Sequence, residues 1–269
     1  MTLQILVSTL DKGINNVAQL VLEPKDGISY LISWQHSNDE KIELPKELKR
    51  NDVEIHNLEG RGLSRNRNNC LRHASADVCL IADDDCTYTH KQLQEVIDTF
   101  KKNPDVDIAT FKFYGEASNK YYPTESFDLS SFPKGYFISS IEIGFRRKSV
   151  QEKIWFNENF GLGANVLHCG EETIFIHDAL SRGLSCKFFP ITVVSEKDSS
   201  ICIMRDNEPG TLMAHGAIMQ LYQPKTKYLR CIIKAYRLSR KRNVPFFKAI
   251  RHMKNGIKYI KKHPEIMGE

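Results

Sequence analysis

An apolar segment that ends in three consecutive carboxylates constrains this chain more than any other feature. Residues 80–82 have the character of a buried strand, and Asp83, Asp84 and Asp85 follow directly; we call these three the acidic turn. Two like charges about 4 Å apart repel by about 4 kcal/mol at an effective dielectric constant of about 20. We therefore expect the acidic turn either to extend into solvent or to hold a hard divalent cation through oxygen ligands. An ordinary acidic turn before a helix cap is the simpler alternative.

Charge is divided between an acidic body and a basic C-terminal segment. Residues 225–262 contain 14 Lys and Arg and no Asp or Glu, so the other 24 of the 38 basic residues accompany all 33 acidic ones. This change in composition predicts a catalytic domain over residues 1–224 and a basic helical extension over residues 225–269. A chain of 269 residues is long enough for that division.

The seven cysteines are scattered and include no Cys-x-x-Cys pair, which argues against a disulfide framework and against a zinc site. The N-terminus has no basic segment followed by a long apolar one, and no apolar run reaches the roughly 20 residues that span a bilayer. We expect a cytoplasmic protein. The basic segment adds the alternative of peripheral attachment to the inner face of the plasma membrane.

Predicted strands alternate with predicted helices through the first half of the chain. The strands are expected at residues 3–9, 29–34, 53–55, 77–82 and 106–113. Such alternation predicts an α/β fold with a mostly parallel sheet covered by helices on both faces. Ligands of open sheets bind outside the carboxyl ends of the strands, where Thr9, Gln35 and the acidic turn fall. Thr89 and Gln92 have the spacing of a capping box at the start of a helix.

Two blocks of sequence resemble family 2 glycosyltransferases of the GT-A (Rossmann-like) fold. Residues 62–71 carry Gly-x-Ser followed by Arg-Asn, and residues 80–85 supply the strand and the Asp-x-Asp motif at the family's spacing. Residues 156–164 and the Gly-Glu-Glu-Thr at 170–173 resemble the acceptor-side segment, which usually ends in Gly-Glu-Asp-Thr. Both blocks occur in the family's order, and the similarity extends from residue 1 to about residue 220.

The resemblance implies a metal-dependent, inverting transfer of a sugar from a nucleotide diphosphate sugar, most simply a UDP-sugar. Within the acidic turn, Asp83 and Asp85 would ligate Mn²⁺ or Mg²⁺, and Asp83 and Asp84 would contact the donor. Arg67 would approach the nucleotide. Residues expected beside the base are Thr9 and either Gln35 or Asp39. The chemistry agrees, because a diphosphate and a carboxylate cluster repel each other unless a cation separates them, and oxygen ligands favour Mg²⁺ or Mn²⁺.

Inversion in one displacement also requires a base that takes the proton of the acceptor hydroxyl. Glu172 stands where the family usually has Asp, and we predict that it is this catalytic base. Glu171, expected to bind substrate, could raise the pKa of Glu172 through like-charge repulsion. The alternative is an acidic pair that simply stabilises the start of a helix through the helix dipole.

The chain departs from the family at two places. Ser195 follows the last predicted strand where a His often assists the metal or the diphosphate, so the third metal contact stays open; His215 is an alternative. The Gln-x-x-Arg-Trp signature of processive members is absent, which predicts one sugar per binding event. The resemblance implies a saccharide acceptor in the synthesis of a surface polysaccharide, and in bacterial members of the family such acceptors are often lipid-linked.

The basic segment contains two apolar stripes at helical spacing. The first consists of Leu229, Ile232, Ile233 and Tyr236, and the second of Phe246, Phe247, Ile250, Met253, Ile257 and Ile260. Apolar stripes beside rows of Lys and Arg predict a helix on an anionic membrane surface. Packing against the body or against a second copy of the chain are alternatives. No RNA-binding motif accompanies the charges, so nucleic acid is not expected.

Two other functions remain possible from the residues alone. A nucleotidyltransferase acting on sugar phosphates would also use carboxylates and Mg²⁺ on a parallel sheet. Such enzymes normally open with a Gly-rich, basic loop, whereas residues 8–13 read Ser-Thr-Leu-Asp-Lys-Gly. A non-enzymatic membrane or nucleic-acid binding module would make the basic segment the active part and the acidic turn structural.

Overall fold

The computed structural model describes residues 1–36, 42–115, 120–196 and 205–267. It divides into two compact units. The first unit comprises Met1–Arg61, Arg65–Phe156 and Phe175–Asp198, and the second comprises Gly62–Ser64, Asn157–Ile174 and Ser199–Glu269.

The first unit is built on a mixed sheet, to which the described residues contribute nine strands. These are β1 (Leu3–Leu10), β2 (Ile28–Gln35), β3 (Val53–Leu58), β4 (Val78–Asp83), β5 (Cys86–Thr87), β6 (Ile108–Gly115), β7 (Phe127–Asp128), β8 (Ile143–Arg146) and β9 (Cys186–Glu196). Their order is β3-β2-β1-β4-β8-β6-β9-β5, with β7 paired to β9. β1, β2, β3 and β4 run parallel, and β8 is antiparallel to both β4 and β6.

Helices cover both faces of this sheet. They are α1 (Ile14–Leu20), α2 (Leu63–His73), α3 (His90–Lys102), α4 (Arg147–Val150) and α5 (Glu171–Ser181). Leu3, Ile5 and Val7 of β1 pack with α1 and α3 on one face, while Leu6 packs with α2 and α5 on the other. Alternate residues of a strand point to opposite faces, so a strand covered on both sides must be apolar throughout. The predicted α/β fold is confirmed.

Helix α3 starts at the predicted capping box. The backbone N–H of Gln92 donates to Thr89 Oγ1 at 3.2 Å, and the backbone N–H of Thr89 donates to Gln92 Oε1 at 2.8 Å. Two backbone donors that the first turn of a helix leaves without partners are satisfied in this way.

The register of the parallel strands sets the position of the acidic turn. Ser8 of β1 lies opposite Asp83 of β4, and Leu10 lies opposite Gln35 of β2. The carboxyl ends of β1, β2 and β4 therefore lie at one edge of the sheet, and Thr9 and the acidic turn are neighbours there.

The second unit contains three longer helices, α6 (Pro209–Tyr222), α7 (Lys227–Arg242) and α8 (Phe246–Lys262). Helices α6 and α8 cross at two glycines. A Cβ added to Gly216 would overlap the backbone oxygen of Met253, and one added to Gly256 would overlap the backbone oxygen of Met213. The two backbones thus touch, which is possible only without side chains at these two positions.

The two predicted apolar stripes differ in the structure. Met253, Ile257 and Ile260 of α8 are buried, so its stripe packs inside the second unit except at Phe247, which is 83% exposed. Helix α7 instead buries Cys231, Ala235 and Leu238 and leaves its predicted stripe in solvent. The predicted boundary between residues 224 and 225 falls between α6 and α7, within the second unit, and stays a prediction. Across the described residues, no helix has both the length and the apolar character to cross a bilayer.

Candidate functional site

Helix α2 sends a run of buried polar side chains, residues 66–69, to several elements of the first unit. Asn66 Nδ2 donates to the backbone oxygen of Thr9 at 3.0 Å. Asn68 forms two hydrogen bonds with the backbone of Phe156, donating at 2.9 Å and accepting at 2.8 Å. Buried polar groups need such partners to offset the loss of water. The Arg-Asn motif therefore fixes the positions of the segments around the acidic turn.

The guanidinium group of Arg67 forms an ion pair with the acidic turn. Its side chain is 1% exposed, and its Nη2 donates to Asp83 Oδ1 at 2.9 Å and to Ser140 Oγ at 2.7 Å. The guanidinium carbon lies 5.5 Å from the centre of the Phe156 ring. A contact of Arg67 with the nucleotide stays a prediction, whereas its contact with Asp83 is structural.

Asp84 turns toward β1. Its Oδ2 accepts a hydrogen bond from Thr9 Oγ1 at 2.6 Å. Burial raises the pKa of Asp84, the Thr9 hydrogen bond lowers it, and the charge of Asp83 raises it further. A Cβ added to Gly13 would overlap Asp84 Oδ2 and lie 2.6 Å from Thr9 Oγ1. Glycine at position 13 therefore leaves the space in which this hydrogen bond forms.

These contacts hold two carboxylates of the acidic turn through separate elements of the fold, and the predicted cation at Asp83 and Asp85 stays a prediction. Asp83 is held by Arg67 and Asp84 by Thr9.

A buried ion pair supports the segment that contacts Arg67. Lys120 Nζ lies 2.7 Å from Glu142 Oε2, and their side chains are 2% and 0% exposed. Tyr122 donates a short hydrogen bond to Glu142, whose Oε2 also accepts from the backbone N–H of Ser139 at 2.9 Å. Burial raises the pKa of Glu142, and Lys120 opposes that change. The pair holds Ser139 and therefore the adjacent Ser140, the second acceptor of Arg67.

Asp85 completes the acidic turn, partly buried between β4 and β5. Beside it, Thr87 of β5 pairs with Ser195 of β9, and Thr87 Oγ1 donates to the Ser195 backbone oxygen at 3.2 Å. Within the described part of the chain, no group of three His, Cys, Asp or Glu side chains is arranged to hold a metal ion. Asp83, whose side chain is 34% exposed, and Asp85 still offer the hard oxygen donors that suit Mg²⁺ or Mn²⁺.

A cavity of about 80 Å³ lies at the ends of the first two strands. It is lined by Leu10, Asp11, His36, Gly60 and Arg61. Asp11 adopts a left-handed backbone with φ of 49°. Trp34 Nε1 donates to its backbone oxygen at 2.9 Å, and Arg61 Nη2 donates to its Oδ2 at 2.8 Å. Sequence reasoning missed these residues; the available signal was their position just after strands.

Of the three residues predicted to lie beside the nucleotide base, the structure describes Thr9 and Gln35. Thr9 is 2% exposed and its hydroxyl is engaged by Asp84. Gln35 ends β2 at 3% exposure, and its Nε2 has no hydrogen-bond partner among the residues described. Asp39 lies outside the described residues.

In the second unit, the two sequence blocks meet around Gly161. Ser64 Oγ donates to the backbone oxygen of Phe160 at 2.6 Å. Gly161 has φ of +100°, and a Cβ there would lie 2.9 Å from Ser64 Oγ and 3.1 Å from Glu171 Oε2. The Gly-x-Ser motif and the Gly-Glu-Glu-Thr motif are therefore packed on one glycine. Sequence reasoning had not assigned Gly161 any role.

Glu171 and Glu172 form the first turn of α5. Glu171 is 6% exposed and Glu172 is partly buried. Burial raises the pKa of Cys169, and the charges of Glu172 and Glu171 raise it further. His215 lies in α6, where burial holds its pKa well below the ordinary value for histidine. The predicted roles of Glu172 and His215 stay predictions.

Comparisons with known proteins identify the family and the fold. The model of "Glycosyl transferase family 2" matches residues 8–169. A comparison with curated protein sequences finds no match. The crystal structure of S. aureus TarS 1-349 superposes with a TM-score of 0.59 at 15% identity, covering 97% of this chain and 92% of that one.

Two further TarS structures give similar values. The 1-349 fragment in complex with UDP has a TM-score of 0.60 at 15% identity over 97% of this chain and 92% of that one. The longer TarS structure has a TM-score of 0.57 at 14% identity, with 98% of this chain and 55% of that chain covered. Because the family model covers more than half of the sequence, the chain belongs to glycosyl transferase family 2, with the GT-A fold.

Proposed function

We propose that this chain is a metal-dependent, inverting glycosyltransferase that moves a sugar from a UDP-sugar to a hydroxyl of a saccharide acceptor. The observation that supports the donor side best is the separate fixing of Asp83 by Arg67 and of Asp84 by Thr9 at the carboxyl edge of the sheet. Family membership favours this function over a nucleotidyltransferase and over a non-enzymatic binding module.

The nucleotide part of the donor would bind at the ends of β1 and β2. The cavity beside Asp11 and Arg61 has the size of a small planar group, and Gln35 provides a buried amide nearby. A protein of similar fold, S. aureus TarS, has been crystallised in complex with UDP and with UDP-GlcNAc. That protein supports uridine as the nucleoside without indicating the sugar.

Asp83 and Asp85 would hold Mn²⁺ or Mg²⁺. When bound, the cation would neutralise the leaving diphosphate. The hydrogen bond from Arg67 fixes the orientation of the Asp83 carboxylate, which therefore needs no rearrangement when the donor binds. The third contact stays open between Ser195, which pairs with Thr87 across β5 and β9, and His215.

Glu172 would act as the base. The acceptor hydroxyl oxygen forms a bond to the anomeric carbon while the bond from that carbon to the diphosphate breaks, and the hydroxyl proton passes to the Glu172 carboxylate. Glu171, packed beside Gly161, would contact the substrate or fix the start of α5.

The acceptor would be a saccharide of a surface polysaccharide, carried on a lipid, and receives one sugar per binding event. We place the enzyme in the cytoplasm, held at the inner face of the membrane through the basic segment. A homo-oligomer is compatible with this function.

Donor binding tests the proposal. Nucleotide sugars are screened by thermal shift with and without Mn²⁺, and a UDP-sugar is expected to raise the melting temperature only when Mn²⁺ is present. Asp85→Ala should remove that increment. Asp105→Ala makes the same chemical change at an exposed position and should retain it. Stabilisation by no nucleotide sugar, or an Asp85→Ala variant that responds like the wild type, would contradict the proposal.

A further inference from the structure

We infer that the outward face of helix α7 is a docking surface for an anionic lipid bilayer. The surface consists of Tyr228, Leu229, Ile232, Ile233 and Tyr236, which we call the α7 face. This inference deepens the membrane placement proposed above by assigning it to one helix face. It can be tested without donor, acceptor or metal.

The α7 face is continuous and exposed. Its five side chains are 52%, 60%, 49%, 41% and 60% exposed. Residues spaced by three and four positions share one side of a helix. Large apolar groups grouped in this way are uncommon on a protein surface that meets only water.

The rest of α7 already has its packing partner. Cys231, Ala235 and Leu238 are buried in the core of the second unit, on the side of the helix away from the α7 face. The second helix of the basic segment, α8, buries Met253, Ile257 and Ile260 in its own unit. In the described part of the chain, the stripe of α8 is therefore packed except at Phe247, which is 83% exposed, whereas the whole α7 face lies in solvent.

Charge selects the kind of surface that the α7 face would meet. Arg230, Arg237, Arg240 and Lys241 are exposed on the same helix, and residues 225–262 contain no acidic side chain. Lys234 is not counted among these exposed charges. Burial lowers its pKa, and the nearby charge of Asp206 opposes that lowering. Asp206 also forms an ion pair with Arg242 at 3.3 Å. An apolar face flanked by cations matches acyl chains below anionic headgroups.

A second copy of the chain fits this surface less well. A symmetric dimer places the same patch of both subunits in contact. The exposed arginines of one copy would then lie close to those of the other; they are Arg230, Arg237 and Arg240. Like charges in a partly desolvated interface repel, whereas anionic headgroups neutralise them.

Co-sedimentation with vesicles measures the inference directly. The full chain is mixed with vesicles of phosphatidylcholine alone or of phosphatidylcholine with phosphatidylglycerol. Binding is expected only to the second kind and should weaken as salt is added. The double variant Ile232→Ser, Ile233→Ser should bind at least about tenfold more weakly, since two apolar side chains no longer enter the bilayer. Arg230→Gln with Arg237→Gln should lose about fivefold per charge.

Tyr121→Ser is the matched control. Tyr121 is 56% exposed in the first unit, so the substitution removes a comparable exposed apolar group from elsewhere and should leave vesicle binding unchanged. Equal binding to both kinds of vesicle, or unchanged binding of the Ile232 and Ile233 double variant, would overturn the inference. Light scattering that shows a dimer separated by the same double variant, without vesicle binding, would assign the α7 face to self-association instead. The vesicle measurements do not depend on donor binding, so the inference would stand even if the protein bound no nucleotide sugar.

Discussion

The acidic turn and the start of α5 position their carboxylates by different means. At the acidic turn, Asp83 and Asp84 are held by side chains from other elements, namely Arg67 from α2 and Thr9 from β1. At the start of α5, Glu171 is packed against a glycine with positive φ, Gly161. Side-chain partners orient Asp83 and Asp84, and Gly161 leaves the space that Glu171 occupies. The acidic turn should therefore respond to changes of charge, and the start of α5 to changes of volume at position 161.

The largest effect is expected at Glu172, where the chemistry itself is tested. Glu172→Gln removes the proton acceptor but keeps the size of the side chain, so kcat should fall by about 10²- to 10⁴-fold while donor affinity stays unchanged. Steady-state transfer rates together with donor titration separate the two quantities. Glu125→Gln, at an exposed position, is the control. Near-normal turnover of Glu172→Gln would exclude it as the base.

We expect the next largest effect at the buried Lys120–Glu142 pair, where the free energy of unfolding is tested. Glu142→Gln leaves Lys120 charged and enclosed, and breaking such a pair costs about 3–5 kcal/mol in the free energy of unfolding. Denaturant unfolding measures this loss in the free energy of unfolding. The double variant Lys120→Met, Glu142→Leu removes both charges and should recover most of the loss. If the double variant were as unstable as Glu142→Gln, the charge account would be wrong.

A pair of glycine variants tests the role of volume at the start of α5. Gly161→Ala and Gly183→Ala both force a positive φ on alanine, at +100° and +78°, which costs about 1–3 kcal/mol. Only the Cβ at position 161 would press on Ser64 and Glu171, since nothing lies within 4 Å of one at position 183. Both variants should melt earlier, but only Gly161→Ala should also lose transfer activity. Equal activity in the two variants would remove the link to Glu171.

The smallest effect is expected at Gly13. A Cβ there displaces the Asp84 carboxylate from Thr9, and an off-rotamer side chain costs about 0.5–1.5 kcal/mol. Donor affinity of Gly13→Ala should fall several-fold by isothermal titration, with little change in melting temperature. Asn16→Ala, at an exposed position of α1, should bind as the wild type does. Unchanged affinity of Gly13→Ala would separate Asp84 from donor binding.

Much of the fold could be predicted from the sequence because the signals are local. Alternating apolar segments, the capping box at Thr89 and the acidic turn at a strand end each depend on a few neighbouring residues. The two family blocks added order and spacing, which identified the family. At their carboxyl ends the strands of the structure continue past the predicted ones, by one residue in β1, β2 and β4 and by two in β6, where polar residues such as Gln35 end a strand.

The partners of the carboxylates could not be predicted in the same way. The contacts of Arg67 with Asp83 and of Thr9 with Asp84 join residues 16 and 75 positions apart, and they depend on the register between β1 and β4. The Lys120–Glu142 pair joins residues 22 positions apart, a separation that no local pattern reveals. Periodicity likewise identifies the two apolar stripes of the basic segment without indicating which one is packed.

The glycine contact between α6 and α8 determines how freely the end of this chain can vary. With backbone against backbone at Gly216 and Gly256, neither helix can rotate or slide to accommodate a new residue at the crossing. The outward residues of α8, among them Lys254, Lys258 and Lys261, are exposed and lie away from that crossing. Related sequences can therefore gain or lose positive charge on this helix at little cost to folding, which would allow the electrostatics of the C-terminal region to adapt to different environments while its architecture is retained.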